Sequence, residues 1–61
     1  DIHLTQIHVD DTHAWRDKCL CEIRLPKNSL IILVRRGDQT IIPNGDTRIL
    51  SGDELVCNTV H

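Results

Sequence analysis

A chain of 61 residues allows one domain at most, and such a chain buries only ~60% of the surface its unfolded form exposes, so a disulfide, a metal or a partner subunit is the usual supplement. Its net charge is −2 with acids and bases interspersed, and it has a single Trp, so it lacks both the clustered basic face and the stacking platform of a nucleic-acid binder. No apolar stretch approaches the ~20 residues of a membrane span, and no signal-peptide pattern opens the chain.

The large apolar residues are Leu, Ile and Val, without Phe, Tyr or Met, which suits a sheet more than a bundle. The chain opens on Asp1 with no initiating methionine, which predicts a fragment of a longer protein. Cys19, Cys21 and Cys57 make an odd count without secretion cues, so reduced thiols in a cytosolic setting are expected. The plainest reading of each is a small buried hydrophobe.

In chain order, Ile2 to Val9 reads as the first strand. Its apolar positions, Ile2 and Leu4, change parity at Ile7 and Val9, which predicts a bulge near Thr5 and Gln6 or a strand covered on both sides. The following stretch, DDTHAWRDKCLCEIRLP, holds the helical candidate. Trp15, Cys19, Leu20 and Ile23 fall on one helical face, Thr12 or Asp17 is the candidate cap, and Pro26 ends it after about two turns.

Leu30 to Val34 is an unbroken apolar run inside SLIILVRR, the pattern of a strand buried on both faces. Gly37-Asp38 supplies a hairpin turn, QTII returns, and Pro43 marks an edge or an exit. PNGDT is a second turn, Ile49-Leu50 a short apolar pair, SGDE a third turn and ELVCNTV the last strand. The expected fold is α+β, a single domain over residues 1–61 with a small, mainly antiparallel sheet of about four strands and one short helix.

Cys19-Leu20-Cys21, Cys57 and four histidines raise a small Cys/His metal-binding domain as one alternative. Residues two apart on a helix lie ~200° around its axis, and structural zinc pairs are usually spaced by two to four residues. His3 and His8 are an odd number apart and face opposite ways on a regular strand, so the histidines read as solvent-exposed. No local signature arranges Cys, His and Asp as nucleophile, base and orienting partner, and the chain is read as non-enzymatic. Arg36-Gly37-Asp38 spells a cell-adhesion tripeptide but is accounted for by the hairpin turn. Neither G-x-G-x-x-G nor the P-loop pattern occurs. Arg24, Lys27 and Asn28, just before the apolar strand, form an anion-binding candidate, against the plainer reading of solvated surface charge.

The ordered set LP, LIILVRR, GD, IIP, GDT, an apolar pair and GDELV resembles the TrkA-C module, the C-terminal subdomain of the RCK (regulator of K⁺ conductance) unit. The likeness is close from Cys19 to Val56 and looser from Ile2. Family members usually carry Gly-Lys-Ser-Leu where this chain has Asp17-Lys18-Cys19-Leu20, while Leu20, Ile23 and Leu25 keep the apolar spacing. The resemblance implies a regulatory and dimerisation domain on the cytoplasmic side of the membrane, attached to or assembled with a membrane ion-transport protein. Potassium uptake systems, cation/proton antiporters, anion exchangers and ClC-type chloride channels are hosts of the family, and IIPNGDT and GDELV look nearest the chloride channels. It also implies a two-fold homodimer, which in some members holds a small ligand, notably cyclic di-AMP, at its interface. For such a ligand, Arg24 and Lys27 are expected at phosphate, Asn28 at a base edge and Leu30 in apolar contact. These four follow from location and chemistry. A purely structural coupling domain without ligand is the alternative.

Overall fold

The computed structural model describes residues 2–60. Strands β1 (Ile2–His8), β2 (Ser29–Arg36), β3 (Gln39–Ile41) and β4 (Glu54–Val60) form one antiparallel sheet in the order β1-β4-β2-β3. The last strand in sequence is therefore central. It pairs with β1 from His8 opposite Glu54 to Ile2 opposite Val60, and with β2 from Arg35 opposite Glu54 to Ser29 opposite Thr59.

The fold is more β than expected. In place of the two-turn helix there is one 3-10 turn, Leu20–Glu22. The backbone before it is already engaged with the segment around Ile49. The Asp17 N–H donates to the Ile49 carbonyl and the Ile49 N–H to the Lys18 carbonyl, both at 2.8 Å, and Cys19 bridges to Arg48. Groups committed to another segment of the chain cannot make i→i−4 bonds. Asp17 has φ +66°, a left-handed geometry that interrupts a helix. Thr12 caps nothing; its N–H donates to the Asp10 carboxylate at 2.9 Å in a local turn.

The bulge lies in a different strand from the one expected. β1 pairs with β4 without a register shift, and the irregularity falls in β2, between Ile31 and Leu33. The parity change along β1 instead divides its apolar residues between two faces. Ile7, and Val9 just beyond the strand, turn to the core, while Ile2 and Leu4 are exposed at 68% and 65%. The β2 bulge lets both Ile31 and Val34 reach the core from one strand. The run Leu30 to Val34 is not buried on both faces, since Leu30 is 62% exposed and Ile32 is exposed too. β3 ends at Ile41, one residue short of QTII.

The core is Val9, Ile31, Val34, Ile49, Leu55 and Cys57, with Trp15, Leu20, Ile23 and Leu25 from the long connection packed against it. Ile49 belongs to no strand yet is fully buried. Of the three free cysteines only Cys57 is buried; Cys19 is half-buried and Cys21 exposed. His3 and His8 are exposed, and His61 lies outside the described residues. His13 is half-buried, its ring edge-on to Trp15 at 5.2 Å and its Nδ1 accepting the Trp15 N–H at 3.0 Å.

One ion pair ties the hairpin to the turn before β4. Arg36 donates from Nε and Nη2 to the two oxygens of Asp53, each at 2.8 Å, and from Nη2 to the Arg48 carbonyl at 2.9 Å. Asp53, wholly buried, also accepts the Leu50 N–H at 2.9 Å.

Candidate functional site

β3 covers the outer edge of β2 only over residues 34–36. The earlier half of β2 has no strand beside it on that side among the described residues. A groove of about 240 Å³ lies there, lined by Leu20, Cys21, Ile23, Leu25, Leu30, Ile31 and the stretch Pro43, Asn44, Gly45. Leu30 and Ile31 project to opposite faces of the sheet, so a groove lined by both runs along the strand's edge.

Its two walls are joined through their backbones. The Leu20 N–H donates to the Thr47 carbonyl at 3.0 Å, and the Cys21 N–H to the Gly45 carbonyl at 3.1 Å. The Glu22 carboxylate accepts the Cys19 N–H at 2.9 Å, and that bond holds its pKa below the ordinary glutamate value. Burial pushes the Cys19 thiol up, away from the reactive thiolate. The exposed sulfur beside the groove is Cys21.

Of the four residues singled out in the sequence, Leu30 lines the groove. Arg24, Lys27 and Asn28 sit on the exposed loop leading into β2, with no ion-pair partner for Arg24 or Lys27 among the described residues. Asn28 has a backbone duty as well. The Ser29 N–H donates to the Pro26 carbonyl at 3.1 Å, closing a four-residue turn whose third residue, Asn28, has φ +66°. Asn tolerates that conformation better than most residues. Its carbonyl also accepts the Val60 N–H at 3.0 Å.

The Pro43–Gly45 wall was not anticipated, although Pro43 was read as the point where the chain leaves the sheet. The other wall was signalled by the apolar spacing of Leu20, Ile23 and Leu25. Among the described residues, no three His, Cys, Asp or Glu side chains come together to hold a metal ion, and no helix is long and apolar enough to cross a membrane.

A sequence profile of the TrkA-C domain matches residues 4–56. The chain belongs to the TrkA-C domain family. The matched TrkA-C region begins in β1 and ends in β4, and so takes in the groove and the basic loop. The chain is also 30% identical over 54 residues to the Trk system potassium uptake protein TrkA of Mycobacterium tuberculosis, in both strain CDC 1551 / Oshkosh and strain ATCC 25618 / H37Rv. That match covers 88% of this TrkA-C chain and 24% of the relative, so the chain spans about a quarter of the length of the proteins it matches.

Proposed function

We propose that this TrkA-C domain, one module over residues 1–61, is a non-catalytic regulatory and dimerisation element of a membrane ion-transport system, working at the cytoplasmic side of the membrane. The observation that carries the reading is the family match across 4–56, together with relatives named for potassium uptake. Potassium uptake is the host those relatives favour. A ClC-type chloride channel is the second host and rests only on the phrases IIPNGDT and GDELV.

The regulatory event is binding of a small anionic ligand, such as a cyclic dinucleotide, at the mouth of the groove. Arg24 and Lys27 meet phosphate, Asn28 a base edge and Leu30 the apolar surface. In support, the groove of about 240 Å³ falls below the ~300–1,000 Å³ usual for small-molecule sites, so one copy holds part of a ligand and a second copy in a homodimer supplies the rest. A ligand shared in this way shifts a gate only through its different affinity for two dimer arrangements.

Calorimetric titration of the chain with cyclic di-AMP, ATP and NADH tests this. Saturable heat is expected with one of them, with affinity lowered at least about tenfold in Arg24→Ala and Lys27→Ala. Alkylation of Cys21 at the groove should slow in the bound state. No heat with any of the three, and unchanged Cys21 labelling, favours a structural coupling element without ligand.

A further inference from the structure

The turn Asn44-Gly45-Asp46-Thr47 supplies one wall of the groove, where Asn44 and Gly45 are exposed. The Thr47 N–H donates to the Asn44 carbonyl at 3.1 Å and closes the turn, and the Asn44 N–H donates to the Thr47 hydroxyl at 2.9 Å. A further bond sets the side chain. The Asp46 N–H donates to Asn44 Oδ1 at 2.8 Å, which folds the carboxamide back across the Gly45 peptide.

An electrophile, a nucleophile and an oxyanion donor thereby meet in one turn. The electrophile is the side-chain carbonyl carbon of Asn44. The nucleophile is the adjoining Gly45 nitrogen, whose N–H meets no acceptor among the described residues. Glycine carries no side chain to obstruct its approach. The donor is the Asp46 N–H, already bonded to the oxygen on which charge develops when that carbon is attacked.

We infer that Asn44 is a site of spontaneous modification, its carboxamide converting through a cyclic imide to a carboxylate on the wall of the groove. The Gly45 nitrogen loses its proton and bonds to the Asn44 side-chain carbon. The bond from that carbon to Nδ2 breaks, and ammonia leaves with the proton. Water then opens the imide at either carbonyl. The products are aspartate and isoaspartate, in which the main chain runs through the side-chain carbons. A water is consumed and an ammonia released, with no change of oxidation state.

The other asparagines of the chain lack this arrangement. After Asn28, the Ser29 N–H is engaged, donating to the Pro26 carbonyl at 3.1 Å. After Asn58 comes β-branched Thr59, inside β4 opposite His3 and Ser29, and the Asn58 Oδ1 is covered.

The new carboxylate stands beside Asp46 and opposes an anionic ligand in the groove. That effect rests on the ligand reading above; the modification itself does not. In isoaspartate the main chain gains a carbon just before Gly45. This displaces the Gly45 carbonyl from the Cys21 N–H that it accepts at 3.1 Å, and the joined walls part. The groove thus ages irreversibly with water as its only reagent.

Incubation of the folded 61-residue chain at mildly alkaline pH, then peptide mapping that separates aspartate from isoaspartate, reads the outcome. Asn44 should convert to both isomers while Asn28 and Asn58 stay intact. Gly45→Ala, whose Cβ would sit at ordinary contact distance, should fold normally and slow the conversion at least about tenfold. An Asn44 that stays intact in the folded chain for as long as the urea-unfolded chain takes to convert overturns the site. Aspartate without isoaspartate, the mark of direct hydrolysis, overturns the imide route. Calorimetric titration of fresh and aged chain with cyclic di-AMP reads the consequence. Weaker binding after ageing supports it, and equal binding overturns it. No heat with the fresh chain overturns the ligand reading and leaves the modification standing.

Discussion

At Asp53, burial alone would raise the carboxyl's pKa. The two bonds from Arg36, the Leu50 N–H and the Arg36 charge outweigh it and hold the pKa below the ordinary 3.8. The native state therefore resists a proton that the unfolded chain accepts. The stability linked to this group is complete above about pH 4, and is lost as pH falls below that value through the native pKa. Urea melts between pH 6 and pH 2 should show the loss in wild type and a smaller loss in Asp53→Asn, where Glu22 still has a lowered pKa. Arg36→Ala, which leaves the carboxylate buried and unpaired, should lower stability by about 3 kcal/mol, at the lower end for a broken buried pair because Arg36 is partly exposed. A chain of 61 residues has roughly 3–9 kcal/mol in total, so that variant sits near its folding threshold. The sequence shows Asp53 only as a turn residue. Its arginine stands 17 positions earlier, and no local pattern joins them.

Among the elements, the β2–β3 hairpin reverses through two residues, with Arg36 opposite Gln39. Gly37 has φ +59° while Asp38 stays out of the positive-φ region, as in the turn type that matches strand twist with glycine in first place. Gly37→Ala should lower stability by about 1–2 kcal/mol through the backbone alone, since an added Cβ has nothing within 4 Å. Gly45→Ala should be close to neutral, because φ is not positive there and the new Cβ would sit at ordinary contact, 3.7 Å from the Cys21 Cβ. Paired thermal melts compare the two. The strands and this turn were legible because alternation and glycine are local signals. The helix was misread for an instructive reason: Trp15, Leu20 and Ile23 do pack against the core, so the periodicity reported burial correctly. It could not report that the segment around Ile49, far later in the chain, takes up the backbone groups a helix needs.

For the whole molecule, burial rests on six core residues, and two of them, Val9 and Ile49, lie outside the strands. Ile49→Ala should cost about 2–5 kcal/mol, enough to unfold much of the population of a chain this small. Ile42→Ser, at a position 77% exposed, should leave the chemical-denaturation midpoint unchanged. The candidate site was half legible for the same reason as the fold. Leu30 and the basic loop are contiguous in sequence and stood out, whereas the groove exists only because Pro43–Gly45 is folded against Leu20 and Cys21.

The central place of β4 also sets a timetable. A ribosome delivers Glu54–Val60 after the other three described strands, and until then, among the described residues, β1 has no neighbour and β2 has only β3. The hairpin can form early, but the sheet closes around its latest arrival, with the long-range pairings that slow folding. During synthesis the apolar residues of β1 and β2 must wait in contact with water or with other proteins. Truncation within β4 would remove the strand that joins β1 to the β2–β3 hairpin.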